Sequence, residues 1–115
     1  MSQMPVECKG DNWCPITATA NLIGKKWHPV IIHRLIEEGP HGFNSLKEEI
    51  GGISSKVLSE SLDDLQEKNL LDREVVSEKP VRVKYKLTEA GESLEPVIEE
   101  MLVWGRSNLV ESDTI

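Results

Sequence analysis

The sequence predicts an α+β fold that is mostly helical, with one two-stranded antiparallel hairpin set before a last helix. Three observations carry this prediction. Apolar residues recur at helical spacing in residues 27–38, 54–69 and 94–102. Residues 81–87 instead alternate strictly, with Val81, Val83, Tyr85 and Leu87 on one face and Arg82, Lys84 and Lys86 on the other, which is the period of a half-buried strand. Glycine and proline punctuate the segments between, at Gly24, Gly39-Pro40, Gly51-Gly52 and Pro80.

Each element has a local reason. Residues 1–14 show no period and read as an arm. Pro15 suits the first turn of a helix, because its missing N–H costs nothing there, and that helix stops at Gly24. The next runs from Trp27 to Glu38 with Pro29 in its opening turn. Ser45 followed by Glu48 matches a capping box for a short helix over 44–50. Ser54 opens a helix to about 69 that buries Leu58, Leu62 and Leu65. Its opposite face carries Lys56, Ser59, Glu60, Asp63 and Glu67. Residues 70–76 read as a strand and 77–80 as a turn. Thr88 is a good N-cap for the last helix, and Pro96 predicts a kink there or a helix start just before it.

The 115 residues make one domain, or one domain plus an arm. The expected division is an arm at 1–14, a main domain at 15–87 and a helix with tail at 88–115. A net charge of −7 argues against loose, sequence-blind binding to nucleic acid. The charge is segregated, however. Residues 87–115 hold seven acids and one base, whereas Lys79, Arg82, Lys84 and Lys86 lie together without an acid among them. The absence of a long apolar run excludes a membrane helix, and a start without basic and apolar signal regions makes the cytoplasm the expected compartment.

Four helices, then a hairpin, then a helix is a winged helix-turn-helix order. In such a unit the helix after the tight turn enters the major groove and the hairpin wing reaches flanking DNA. At this point the chain resembles the HxlR-type branch of winged-helix transcription regulators, relatives of the MarR group. The segments that carry the resemblance are Cys14-Pro15, Leu22 to Trp27, Gly39-Pro40 with Phe43 to Leu46, Gly52 to Ser59, Leu65, Leu70, Pro80 to Tyr85, Leu87 to Gly91, Leu94 to Pro96 and Trp104-Gly105. The resemblance implies a homodimer on a pseudo-palindromic double-stranded DNA operator, with no cofactor. It also implies a redox or electrophile sensor role for the cysteine before the proline, so that the signal is either oxidation at Cys14 or a small ligand near the dimer seam.

Within that frame Ser54, Ser55, Lys56, Ser59 and Glu60 are the candidate readers. Lys56 suits guanine acceptors and Glu60 a cytosine amino group. The family usually places arginine at the positions of Glu60, Ser61 or Asp63, so this helix departs toward acidity; Asp63, Asp64 and Glu67 are expected to point away from the groove. Lys79 and Arg82 near the turn are the expected wing contacts. Lys84 is a further candidate, though it and Lys86 lie nearer the wing base. Lys47 is a backbone clamp, and Lys25 and Lys26 are secondary candidates. A solvated helix face and a lysine-guarded edge strand are the plain alternatives. For the last helix, Leu94, Val97, Ile98, Met101, Leu102 and Trp104 either pack on the chain's own core or pair with a second copy.

Cys14 at a helix start is either a sensor thiol, favoured as thiolate there, or a small buried residue beside Pro15 and Trp27. Cys8 and Cys14 are expected as free thiols, with an intramolecular Cys8–Cys14 bridge as the alternative. No zinc-type ligand spacing joins Cys8, Cys14, His28, His33 and His41, and no catalytic motif is present, so neither a metal site nor an enzyme is expected. The competing function is a winged-helix protein-interaction module whose acidic helices bind another protein.

Overall fold

A computed structural model describes residues 8–10 and 12–109. The elements are α1 (Pro15–Ile23), α2 (His28–Glu38), α3 (Phe43–Ile50), α4 (Ser55–Glu67), β1 (Leu71–Glu78), β2 (Val81–Leu87), a single turn α5 (Glu89–Glu92) and α6 (Glu95–Asn108). The two strands form one antiparallel sheet. The fold class is the expected one, a winged helix-turn-helix.

The core follows from the apolar stripes. Ile31, Ile32 and Leu35 of α2, Leu46 of α3 and Leu58, Leu62 and Leu65 of α4 are buried together with Ile53, Leu70, Leu71 and Ile98. Each such side chain contributes about 1.5–3 kcal/mol on burial. Between α3 and α4, Gly51 and Gly52 sit at φ 69° and 71°. This left-handed region is closed to most side chains, so the glycine pair makes the tight turn that aims α4. Ser54 caps α4 by accepting from the Val57 amide at 3.1 Å.

Three local expectations need correction. First, α3 starts at Phe43 with Gly42 as its cap, and no side-chain capping bond forms; Ser45 lies inside the first turn, so the Ser45/Glu48 capping box is not used. The cause is long-range. The His41 amide donates to the Tyr85 carbonyl at 3.0 Å, and the His41 carbonyl accepts from the Tyr85 amide at 2.7 Å. This pins the chain as a bridge on β2 and lets the helix begin at once. Second, β1 runs through Glu78, leaving only Lys79-Pro80 as the turn, and a bulge between Val75 and Ser77 shifts the register. Third, the face that is wholly basic on β2 is mixed on the sheet: Asp72 pairs with Lys86 and Glu74 with Lys84.

At the C-terminal end the start-before-proline alternative holds. Thr88 accepts from the Gly91 amide at 3.0 Å and donates to the Asn69 carbonyl at 2.8 Å, capping α5 alone. Pro96 then lies in the first turn of α6. Gly91 allows this tight return, since a Cβ there would lie 2.2 Å from the Leu70 carbonyl oxygen. Among the described residues no helix is long and apolar enough to cross a membrane.

Candidate nucleic-acid interface

The N-terminal end of α4 presents Ser54, Ser55, Lys56, Ser59 and Glu60 to solvent, directly after the glycine turn. Their N–H-rich helix end and hydroxyls suit phosphate and base edges. Asp64 is half-buried. Its carboxylate accepts from Lys68 at 2.7 Å and from His28 at 2.6 Å, with Lys25 at 3.6 Å. The hydrogen bonds from Lys68 and His28 hold Asp64 well below the usual carboxylate range. Asp63 and Glu67 do not turn inward: both stay exposed, on the stripe that continues from Lys56. Along the helix Glu67 lies about 16 Å from Lys56 at 1.5 Å per residue, whereas Asp63 stands only one turn from Ser59 and Glu60.

The Asp64 linkage is testable. His28 is buried, at 2% exposure, so Asp64→Asn removes the charged acceptor from an interior imidazole and costs about 1–3 kcal/mol. A carboxyl whose folded pKa is depressed contributes stability above its unfolded value, about 3.9, and that contribution fades as pH falls toward the folded one. Chemical denaturation at neutral pH is expected to show the full deficit, and the gap between variant and wild type to narrow below about pH 4. A constant gap would refute the linkage.

In the wing, Lys79 and Arg82 at the turn are exposed. Lys86 lies 2.9 Å from Glu74, and this partner raises its pKa; Lys84 is exposed but faces Glu74 across the strands. The basic density available for phosphate is therefore concentrated at the tip. Lys47 is half-buried in the last turn of α3, and Lys25 is largely exposed, 61% of its side chain, near Asp64.

The last helix divides. Ile98 is buried, and Leu94 packs on the same core, while Leu102 is half-buried. Val97, Met101 and Trp104 are exposed, with Trp104 at 60%. They line an open apolar groove with Pro96, Gly105 and Leu109. Trp13 and Ile16, around the start of α1, are also exposed apolar residues; periodicity in the last helix gave no sign of them.

The free-thiol expectation is overturned: Cys8 and Cys14 form a disulfide, with Cα atoms 4.7 Å apart, inside the range a bridge needs. The arm reverses between them, with the Asn12 amide donating to the Lys9 carbonyl at 3.1 Å and Gly10 at φ 55°. Cys14 is buried at the N-cap of α1. The arm gives no periodic signal, so sequence spacing alone did not reveal the reversal.

The family model described as HxlR-like helix-turn-helix matches residues 22–113. The chain belongs to the HxlR family. The HTH-type transcriptional regulator YodB of Bacillus subtilis is 39% identical over 107 residues, covering 92% of this chain and 95% of that protein. The reduced form of YodB superposes with a TM-score of 0.72 at 40% identity, over 84% of this chain and 95% of that one. The redox regulator HypR in its oxidised form gives 0.77 at 34% identity, over 84% and 99%. A MarR-family structure from Porphyromonas gingivalis W83 gives 0.80 at 34% identity, over 90% and 100%. This HxlR protein thus belongs among helix-turn-helix transcription regulators, not enzymes.

Proposed function

We propose that this HxlR protein is a homodimeric, sequence-specific DNA-binding regulator of transcription whose DNA affinity responds to the redox state of Cys8 and Cys14. The single observation that carries the reading is the exposed, serine- and lysine-bearing N-terminus of α4 set directly behind the glycine turn in an HxlR chain. α4 enters the major groove, Lys79 and Arg82 hold flanking phosphate, and Val97, Met101 and Trp104 cover one another across a two-fold axis. That axis sets the two α4 helices about 34 Å apart, on half-sites of a pseudo-palindrome. Redox response is supported by relatives: YodB has been solved reduced, diamide-treated and quinone-bound, and HypR oxidised and reduced. In this chain each bridge formed gives two electrons and two protons to the oxidant, diamide being reduced to its hydrazine.

A gel shift on DNA upstream of the chain's own gene tests this. At low salt, micromolar protein is expected to give a discrete complex that weakens toward about 0.2 M salt. Diamide changes the affinity of wild type and not of Cys14→Ser. No complex at low salt would favour the protein-interaction reading, which the exposed acids Glu60, Asp63 and Glu67 motivate. An equal diamide response in both proteins would remove the redox role.

A further inference from the structure

We propose that Glu38, His41 and Glu49 form a binding site for a divalent first-row transition-metal ion of the zinc or manganese class, placed where the helix-turn-helix meets the wing. The three residues come from different places: Glu38 ends α2, His41 lies in the connection, and Glu49 sits near the end of α3. Their ligand atoms all lie within 4.8 Å of one another. Metal–ligand bonds of about 2.0–2.2 Å place tetrahedral donors roughly 3.3–3.6 Å apart, a separation His41 and Glu49 already show at 3.6 Å and that the third ligand needs side-chain rotation to reach.

The imidazole is already oriented as a ligand. Nδ1 of His41 lies 3.0 Å from both the Gly39 and Pro40 carbonyl oxygens. Carbonyls only accept, so the proton belongs on Nδ1. In the neutral ring Nε2 is then a bare lone pair, and it faces the Glu49 carboxylate at 3.6 Å. Locking one ring nitrogen on a backbone carbonyl is what orients metal-binding histidines elsewhere. A lone pair turned toward two carboxylates is stabilised by a cation between them. Arg34, 3.5 Å from Glu38, supplies one positive charge against two carboxylates.

The donor set decides the class. One imidazole nitrogen with two carboxylates suits zinc, manganese or ferrous iron, while the absence of thiolate in the set disfavours Cu(I) and the presence of imidazole disfavours magnesium and calcium. Side-chain exposures of 14% for His41 and 33% for Glu49 leave an entry path and room for water ligands. The paired backbones of His41 and Tyr85 carry the link into β2. A bound ion would therefore tie α2, α3 and the wing base together.

Calorimetric titration of the oxidised full-length chain with ZnCl2, and separately MnCl2, tests the site. The expected result is one ion per chain for at least one of the two metals, with a melting temperature that rises with free metal. Glu49→Gln and His41→Asn each weaken binding about tenfold or more, whereas Glu37→Gln, an exposed neighbour on α2, leaves it unchanged. Glu49→Gln removes a charge from a partly exposed position, so circular dichroism should confirm a native fold even if His41→Asn unfolds. Absence of saturable binding of either ion would overturn the site and leave His41 as a simple partner of Glu49. Binding that survives Glu49→Gln, or that Glu37→Gln weakens equally, would overturn it too.

Discussion

Replacing Met101 and Trp104 together by glutamate is expected to turn the protein into a monomer and abolish tight operator binding. Both side chains are exposed, at 46% and 60%, so the change spares the chain's own core, which Ile98 and Leu94 serve. Two-fold symmetry doubles the effect: each substitution takes an apolar side chain from both protomers, about 1.5–3 kcal/mol per buried side chain, and sets like charges across the axis. A monomer holds one half-site only, so it loses the second set of phosphate and base interactions. Sedimentation at low micromolar concentration should show the monomer, circular dichroism an unchanged fold, and gel shifts no discrete complex. A persistent dimer would place the interface elsewhere, with α1 and its exposed Ile16 the next surface to test.

The second large effect separates reading from anchoring. Lys56→Ala is expected to weaken operator binding by about 1–3 kcal/mol while hardly changing affinity for unrelated DNA, because a lysine on guanine acceptors contributes discrimination. Arg82→Ala should weaken binding to all sequences. It should also flatten the salt dependence by about 0.9 in log–log slope for each phosphate no longer neutralised, and by twice that for a dimer. Competition binding with operator and scrambled duplexes over a salt series checks both. Should Lys56→Ala depress both duplexes equally, its partner is phosphate; should Arg82→Ala leave the salt slope intact, the wing tip does not touch DNA.

On the proposed function, the placement of charge leaves specific interactions to carry the affinity for DNA. The chain is at net −7, Asp64 is withdrawn into its hydrogen bonds with Lys68 and His28, and Lys86 is engaged by Glu74. That leaves the tip bases and the α4 N-terminus facing outward with little surplus positive charge, an arrangement that weakens sequence-blind attraction.

Much of the framework was legible in the order of residues. Helical stripes, the strict alternation of residues 81–87, and the Gly51-Gly52 break are consequences of local geometry, since side-chain direction repeats with the backbone period. The exposure of the candidate readers Ser54, Ser55, Lys56, Ser59 and Glu60 followed from the same period. What periodicity could not supply was anything set by a distant partner. The start of α3 depends on the bridge from His41 to Tyr85. The acids opposite Lys84 and Lys86 depend on the hairpin register. The Cys8–Cys14 pair depends on the reversal of an aperiodic arm.

The sequence by itself determined the fold class, the order of its elements and which face of α4 meets solvent, because these arise within a few residues of chain. Only the tertiary structure decided which charges are neutralised, which apolar residues of α6 are spent on the core, and which side chains from α2, its connection and α3 converge. The Asp64–Lys68 pair is a local i,i+4 spacing, but His28 on Asp64, Glu74 on Lys86 and the split of α6 between core and surface depend on residues far apart in the chain.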